Sequence, residues 1–319
     1  MKVEILGSGG ATTTPRPGRV VDVVTGAFSF TGRAIAEELL RRGRAVRTLT
    51  RRTHPDDPLA ARIESAPLVF GDPAVLAGAE TLYNTYWLRF PRGGATYAQA
   101  VENTRALLLA AREASVRRVV HISVTNPSEG SPLPYFHGKA LVERDVAQCG
   151  LSYAIVRPTL VFGAADILLN NIAWCLRRFP LFPIPGDGSY QVQPVSVGDT
   201  ARLAVDAGLS AEDVVLDAAG PETYTYEQLV RLMATVVGRR PRLVRVAPRV
   251  AVGLARLVGV VQRDVMLTSE ELRGLMASLL VSHAPPQARE SFRAWLESYA
   301  PELGRSYVSE LARNFRPYR

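Results

Sequence analysis

Lysine is nearly missing from this chain: among 319 residues only Lys2 and Lys139 carry an ammonium, against 36 arginines. Cysteine is as sparse. Cys149 and Cys175, the two present, are too few and too far apart for a disulfide scaffold or a thiolate metal motif, which makes a reducing cytoplasm the expected compartment. The four histidines are dispersed, so no metal is expected. No apolar run reaches the roughly 18 to 20 residues needed to span a bilayer, and the opening lacks the pattern of a secretory signal. A net charge of +8 raises the question of nucleic acid. The arginines are scattered, however, and no basic block is interleaved with aromatics, so none is expected as a partner. Internal repeats and long linkers are absent as well. With 47% hydrophobic and 21% charged residues, the chain is globular and long enough for one large domain or two modest ones.

The stretch from Val20 to Arg52 is the most ordered in pattern. Val20 to Thr25 is β-branched except for Asp22, as in a strand buried on both faces; Asp22 has no explanation at this level. Gly26 and Gly32 bracket a turn. Ile35, Ala36, Leu39 and Leu40 then share one helical stripe, opposite Glu37, Glu38, Arg41 and Arg42, and Gly43 ends the helix. A second apolar run follows to Thr50. Strand, glycine turn, helix and strand in this order let backbone N–H groups and a helix N-terminus face a pyrophosphate. The expected cofactor contacts are Thr25, Gly26, Ser29, Phe30, Thr31 and Gly32.

Where the second strand ends, an acid would select NAD and an arginine would accommodate the 2′-phosphate of NADP. Here Thr50 is followed by Arg51 and Arg52, and Arg33 directly follows Gly32. NADP is the expected cofactor, with NAD possible; the alternative is that these are solvated arginines in an arginine-rich chain.

Further strands are expected at Leu68 to Gly71, with Asp72 at its end, at Thr81 to Thr85, and at Arg118 to Ser123, with a long helix from Thr96 to Ala114. Such alternation implies right-handed parallel crossovers, hence an α/β fold with a doubly wound parallel sheet. The loop Tyr86 to Pro91 is aromatic and sits at a carboxyl strand end, where it serves either a ligand or a core patch. A proline-rich loop then leads into a helix from about Phe136 to Gln148. Tyr135 and Lys139, four apart, share a face if the helix already includes Tyr135.

The turn Thr25-Gly26-x-x-Ser29-x-x-Gly32 resembles the TGxxGxxG loop of extended and atypical short-chain dehydrogenases/reductases, with Ser29 in place of the middle glycine. Tyr135 and Lys139 match that family's YxxxK, Ser123 ends the preceding strand, and LSYAIVRPTLVFG (Leu151 to Gly163) resembles its sixth strand and RPxxxxG turn. The resemblance covers roughly residues 20 to 245 and is closest to the NmrA-like branch, which includes the Rossmann-type accessory subunit of respiratory complex I. It implies adenine contact at Asp72, Asn103 near the site, and a catalytic set of Ser123, Tyr135 and Lys139, with Lys139 also holding the nicotinamide ribose. Thr125 and Asn126 are alternatives to Ser123. A positive charge ~4 Å from the phenol, worth ~4 kcal/mol at an effective dielectric of ~20, would bring Tyr135 from about 10 toward 7.

The implied organisation is an arm at 1–19, a nucleotide-binding domain at 20–165 with the chain returning at about 191–218, and a smaller, mostly helical lobe from 166–190 and 219–319. Met1 to Arg19 resembles the opening of metallo-β-lactamase-fold proteins without their HxHxDH ligands, so a loosely attached arm is expected. Helical patterns occupy 249–261, 269–279 and 288–298. Asn170, Asn171, Trp174 and Tyr190 are positional candidates for the pocket. The expected function is an NADP-dependent oxidoreductase or epimerase acting on a small carbonyl or hydroxyl compound; the other readings are a non-catalytic NADP(H)-binding sensor and an accessory subunit. Oligomeric state is not expressed in the pattern.

Overall fold

The computed structural model describes residues 20–52 and 54–315; the expected arm at 1–19 lies outside them. The first five residues of the fold, β1 (Val21–Thr25), are all buried. Helix α1 (Phe30–Arg41) and β2 (Ala45–Thr50) follow, then β3 (Glu64–Pro67) and β4 (Ala79–Asn84). After them come α2 (Tyr97–Glu113), β5 (Arg118–Ile122), α3 (Pro134–Gln148) and β6 (Ser152–Pro158). The chain later returns as α5 (Val197–Leu209) and a strand at Val214–Ala218. These strands form one seven-stranded parallel sheet in the order β3-β2-β1-β4-β5-β6 and Val214–Ala218. Ile35 and Leu39 of α1 and Ala201 and Ala204 of α5 cover one face with Val24 and Val156. Leu107 of α2 and Val142 of α3 cover the other with Val23 and Ile155.

The third strand lies at Glu64–Pro67, not at Leu68 to Gly71. It pairs Arg47 with Glu64 through Thr50 with Pro67 and forms the sheet edge. An edge strand is exposed and tolerates charge and proline, so its polar residues do not stand out as a strand. The apolar residues after it pack Leu68 and Phe70 onto the core without joining the sheet.

Asp22 now has a cause. Its fully buried carboxylate accepts from Arg44 Nε at 2.6 Å and Nη2 at 2.9 Å, and Arg44 also reaches Glu80 at 2.8 Å. The arginine that opens β2 thus ties the entry ends of β1 and β4 together. Arg118, also fully buried, donates to Ala207 O at 2.9 Å and Glu212 O at 2.6 Å, fixing β5 to the end of α5.

Outside the sheet the remaining α-helices among the described residues are α4 (Leu168–Arg178), α6 (Tyr226–Val236), α7 (Pro248–Gln262), α8 (Ser269–Met276), α9 (Phe292–Tyr299) and α10 (Glu310–Asn314). Short ladders join Leu160–Phe162 to Pro194–Ser196, Leu181–Pro185 to Arg242–Val246, and Gln191–Val192 to Tyr224–Thr225. A second hydrophobic cluster, apart from the two faces of the sheet, includes Phe162, Trp174, Met233 and Phe292. The helix expected at 288–298 begins at Phe292, because Ser291 caps it and Glu222 accepts from the Phe292 N–H at 2.7 Å. Among the described residues no helix is long and apolar enough to cross a membrane.

Removing one partner of a buried ion pair leaves the other charge uncompensated, at a cost of roughly 3 to 5 kcal/mol. Arg44→Ala should lower stability by that amount in a denaturant titration. Arg41→Ala, which loses only a surface pair with Glu38, should leave it nearly unchanged; equal losses would refute the assignment of Arg44 as an anchor.

Candidate functional site

At the end of β1 the backbone turns sharply. Gly26 takes φ +68°, its N–H donating to Leu49 O at 3.0 Å, and the Ser29 N–H returns to Gly26 O at 2.8 Å. A Cβ on Gly32 would lie 2.3 Å from Gly26 O, so no larger residue fits there. Ser29 is different. Its φ of −82° suits any residue, and its hydroxyl caps α1 by accepting from the Gly32 N–H at 3.3 Å. The departure from the glycine pattern therefore costs nothing in conformation. Phe30, Thr31 and Gly32 form the first turn of α1, which holds no acid. Free N–H groups and the positive end of a helix, reached over a glycine turn, fit a pyrophosphate.

The three arginines separate. Arg33 is engaged by Asp57 in a close ion pair and by Glu37 at 3.6 Å, and its hydrogen bond holds the Asp57 carboxyl below the usual range. Arg52 reaches the Arg313 carbonyl of α10. Arg51 is exposed, with its guanidinium over the Phe70 ring at 5.3 Å. Asp72 caps a short 3-10 turn by accepting from the Ala74 N–H at 2.9 Å. Sequence reading missed Asp57, whose only signal is the acidic pair in HPDDP.

At the carboxyl ends of β1 and β4, the Thr85 N–H donates to Thr25 Oγ1 at 2.8 Å and the Thr85 hydroxyl donates to Thr25 O at 2.5 Å. The Asn84 side-chain amide meets His121 Nδ1 at 3.2 Å. His121 is fully buried, its Nε2 has no partner among the described residues, and burial, then Lys139, pushes its pKa well below the ordinary value. Ser123 is buried too, with an unpartnered Oγ. Its two alternatives are committed elsewhere: Thr125 donates to Pro158 O at 2.7 Å, and Asn126 donates to Leu279 O and Val281 O at 3.1 and 2.8 Å.

Helix α3 begins at Pro134, so Tyr135 and Lys139 both lie on it. Lys139 is buried, donates to Ile122 O at 2.7 Å and places its Nζ 4.7 Å from the Trp87 ring centroid. Gly138 allows the indole this close, since a Cβ there would lie 3.0 Å from it. The Trp87 N–H has no partner among the described residues. The aromatic loop thus supplies the lid of the lysine pocket. Tyr135 packs edge-on against Trp87 and Tyr97, at 6.1 and 5.9 Å, and its backbone N–H donates to Glu270 of α8 at 2.6 Å. Asn103, expected near the site, donates to Tyr86 Oη at 2.9 Å.

The electrostatics reverse one expectation. Burial pushes the Tyr135 phenol up, with Glu271 and Glu270 adding to that and Arg89 opposing it. Lys139 does not bring it down, because the ammonium is directed to the Ile122 carbonyl and the indole face. It is the lysine that moves, lowered by burial to about 7 against a smaller opposing effect of Glu143.

The lobe candidates have structural partners. Asn171 donates to Val308 O and accepts from Val308 N, both at 2.9 Å, and Asn170 donates to Ser306 O at 2.9 Å. Trp174 and Tyr190 are buried. The asparagines hold the final segment against α4.

Because the folded pKa of Lys139 lies below the unfolded value of 10.5, the unfolded chain binds more protons between about pH 7 and 10. Stability from this residue therefore rises with pH across that window, by at most about 1.4 kcal/mol per pH unit. Lys139→Met removes the effect. The stability of the variant minus that of wild type should fall from pH 7 to pH 10 in denaturant titrations; a constant difference would refute the lowered pKa.

Residues 26–163 match the family model described as NAD(P)H-binding. The chain is 25% identical over 254 residues to the mitochondrial NADH dehydrogenase [ubiquinone] 1 alpha subcomplex subunit 9 of Arabidopsis thaliana, a match covering 74% of this chain and 62% of that protein. It therefore spans less than two thirds of the relative. In fold it is similar to the Citrobacter triphenylmethane reductase complexed with NADP(H), with TM-score 0.71 at 16% identity over 88% of this chain and 99% of the other. It is also similar to a nucleoside-diphosphate-sugar epimerase from Staphylococcus aureus, with TM-score 0.70 at 15% identity over 89% and 100%. With its glycine turn and seven-stranded parallel sheet, the segment 26–163 that matches the NAD(P)H-binding model lies in a Rossmann-like α/β fold.

Proposed function

We propose that the protein is an NADP(H)-dependent oxidoreductase or epimerase of the short-chain dehydrogenase/reductase type, acting on a small carbonyl or hydroxyl compound in a reducing cytoplasm. The observation that carries this reading is the pairing of an unpartnered Ser123 hydroxyl with a buried Lys139 of pKa about 7. Ser123 follows the carboxyl end of β5, and Lys139 reaches that end from α3 through Ile122 O; β5 lies next to β4, which with β1 flanks the point where the sheet order reverses, the usual place for ligands in such sheets.

The bound cofactor would supply hydride transfer at its nicotinamide. The chain's own groups do the rest. Ser123 Oγ hydrogen-bonds the substrate oxygen. Tyr135, protonated at neutral pH with its pKa raised by burial, is the proton donor to that oxygen. Lys139 exchanges a proton near neutrality, close to the optimum for acid–base work, and Trp87 keeps water from it. For the 2′-phosphate the available group is Arg51, with Arg33 held by Asp57.

One observation favours a second reading, a non-catalytic NADP(H)-binding accessory subunit. Trp87 packs against both Lys139 and Tyr135, and the plant relative bears a subunit's name.

Titration calorimetry should give tighter binding of NADPH than of NADH, and Arg51→Ala should weaken NADPH more than NADH. Equal affinities in wild type would end the NADP assignment. With NADPH and a panel of ketones, aldehydes and nucleotide sugars, Lys139→Arg and Tyr135→Phe should lower turnover at least ~100-fold, with melting near wild type for Tyr135→Phe and lowered for Lys139→Arg, whose extra donors would be buried unpaired. Full activity of Lys139→Arg would exclude the catalytic role. Tight NADPH binding without turnover would favour the subunit.

A further inference from the structure

Arginines occur throughout the chain, but their excess over acids does not. The segment RRPRLVRVAPRVAVGLARLVGVVQR, residues 239–263, holds seven arginines and no acid, so it carries +7 of the net +8 and the rest of the chain is nearly neutral. All seven are exposed. Arg245 pairs with Glu227 at 3.2 Å, whereas the side chains of the other six make no hydrogen bond or ion pair among the described residues. The next acid along the chain, Asp264, is already engaged. It accepts from Tyr307 Oη at 2.7 Å and from the N–H groups of Leu311 and Glu310 at 2.9 and 3.1 Å.

Most of this segment is helix α7, and the outer face of the helix is apolar. Ala251, Val252 and Gly259 are buried. Val250, Leu257, Val260 and Val261, by contrast, are 50%, 63%, 75% and 72% exposed, and Leu254 is exposed as well. At 3.6 residues per turn these five fall within about 120° of the helix circumference, opposite the buried three. Arg249 and Arg256, seven apart, follow one edge of that stripe, and Arg263 stands at the C-cap. Among the described residues thirteen large apolar side chains are exposed, and five of them belong to this one helix. Three more, Phe179, Leu181 and Val244, line a single cavity with Leu254 and Leu257, so the apolar surface extends beyond α7.

An exposed apolar patch of this kind marks an interaction site, and what surrounds it identifies the occupant. A nucleic acid would meet the arginines but leave the valines and leucines in water. A second copy would set one row of unpaired arginines against another. Protein interfaces are anchored by aromatic side chains and by hydrogen bonds of both senses, whereas the exposed residues of α7 are only Pro, Val, Leu, Gly and Arg. An anionic bilayer needs no directional partner. Aliphatic side chains enter the boundary between headgroups and acyl chains, while arginines on long stems reach the headgroup phosphates.

We propose that α7 docks the protein peripherally on an anionic bilayer, with its aliphatic stripe in the interface and Arg249, Arg256 and Arg263 on lipid phosphates. The docking surface shares no residue with the cofactor turn or the catalytic set.

The full chain should co-sediment with phosphatidylcholine vesicles that contain phosphatidylglycerol, far more weakly with vesicles that lack it, and less as salt rises and screens the charges. Each arginine near such a surface contributes about fivefold, so Arg249→Gln/Arg256→Gln/Arg263→Gln should weaken binding roughly 100-fold. Leu257→Gln/Val261→Gln keeps every charge and should still lose at least ~10-fold, whereas Leu109→Gln, at an exposed position on α2, should lose nothing. Melting of these variants should stay near wild type, since each changed side chain is exposed. In Val260→Trp, the new indole should shift its emission to shorter wavelength on the anionic vesicles and be quenched by brominated acyl chains.

Equal binding to both kinds of vesicle, full binding by either multiple variant, or sedimentation without a shift in Val260→Trp would overturn the proposal. So would a failure to sediment. In that case a dimer on gel filtration that Leu257→Gln/Val261→Gln dissociates would give the face to a second copy, and a monomer would leave it to a protein partner. Every readout here is binding or association, so failure leaves the turnover experiment above untouched.

Discussion

All seven strands of the main sheet run in one direction, and most of the molecule's organisation follows from that constraint. Parallel neighbours cannot be joined by a tight hairpin, so each connection crosses a face of the sheet, usually as a helix. Every strand then delivers its last residue to the same edge. Thr25, Asn84, Ser123 and the turn at Gly26 come together there although they are distant in sequence. The opposite edge carries anchors instead, with Asp22, Arg44 and Glu80 bound to one another.

The two edges also differ in how buried polar groups are satisfied. Leaving a buried donor or acceptor unpaired costs about 1 to 3 kcal/mol, so structural polar residues are expected to be paired. Asp22 and Arg118 are paired on every side. Around Lys139 the pattern changes: Trp87 Nε1, His121 Nε2 and Ser123 Oγ are all buried without partners among the described residues. Tyr83 Oη and Tyr190 Oη are unpaired as well, so such atoms alone do not define a site. Three of them surround one buried lysine at the carboxyl edge of the parallel sheet, the edge at which open α/β sheets take ligands.

The nucleotide half was legible in the sequence because its signals are local. The buried strand β1, the stripe of α1 and the paired glycines each depend on residues within a few positions, and each has its counterpart in the structure. The edge strand β3 was not legible, since an edge has no need for an apolar run and Glu64 and Ser65 conceal it. Asp22 has no explanation in its own stretch of sequence, because its partner Arg44 lies twenty-two residues on. The expected electrostatics of Tyr135 failed for the same reason. Spacing places Lys139 four residues away, but Glu270 and Glu271 reach the phenol from α8, and no local pattern announces them. Nor does spacing say that Arg33 will be taken by Asp57.

Composition carried information that motif spacing did not. In a chain with 36 arginines, one described position keeps a lysine, and the pocket explains why. Lys139 has a single carbonyl acceptor, Ile122 O, and an indole face above its Nζ. An ammonium can satisfy one bond there, direct its remaining charge to the ring, and lose its proton near neutrality. A guanidinium has five N–H donors in a fixed fork, remains charged at any working pH, and needs a wider planar slot. Placed in the same space it would bury several unsatisfied donors with a charge it cannot shed. The pocket therefore disfavours the residue that the rest of the chain prefers, and it fits a compact ammonium with one carbonyl acceptor and an aromatic face.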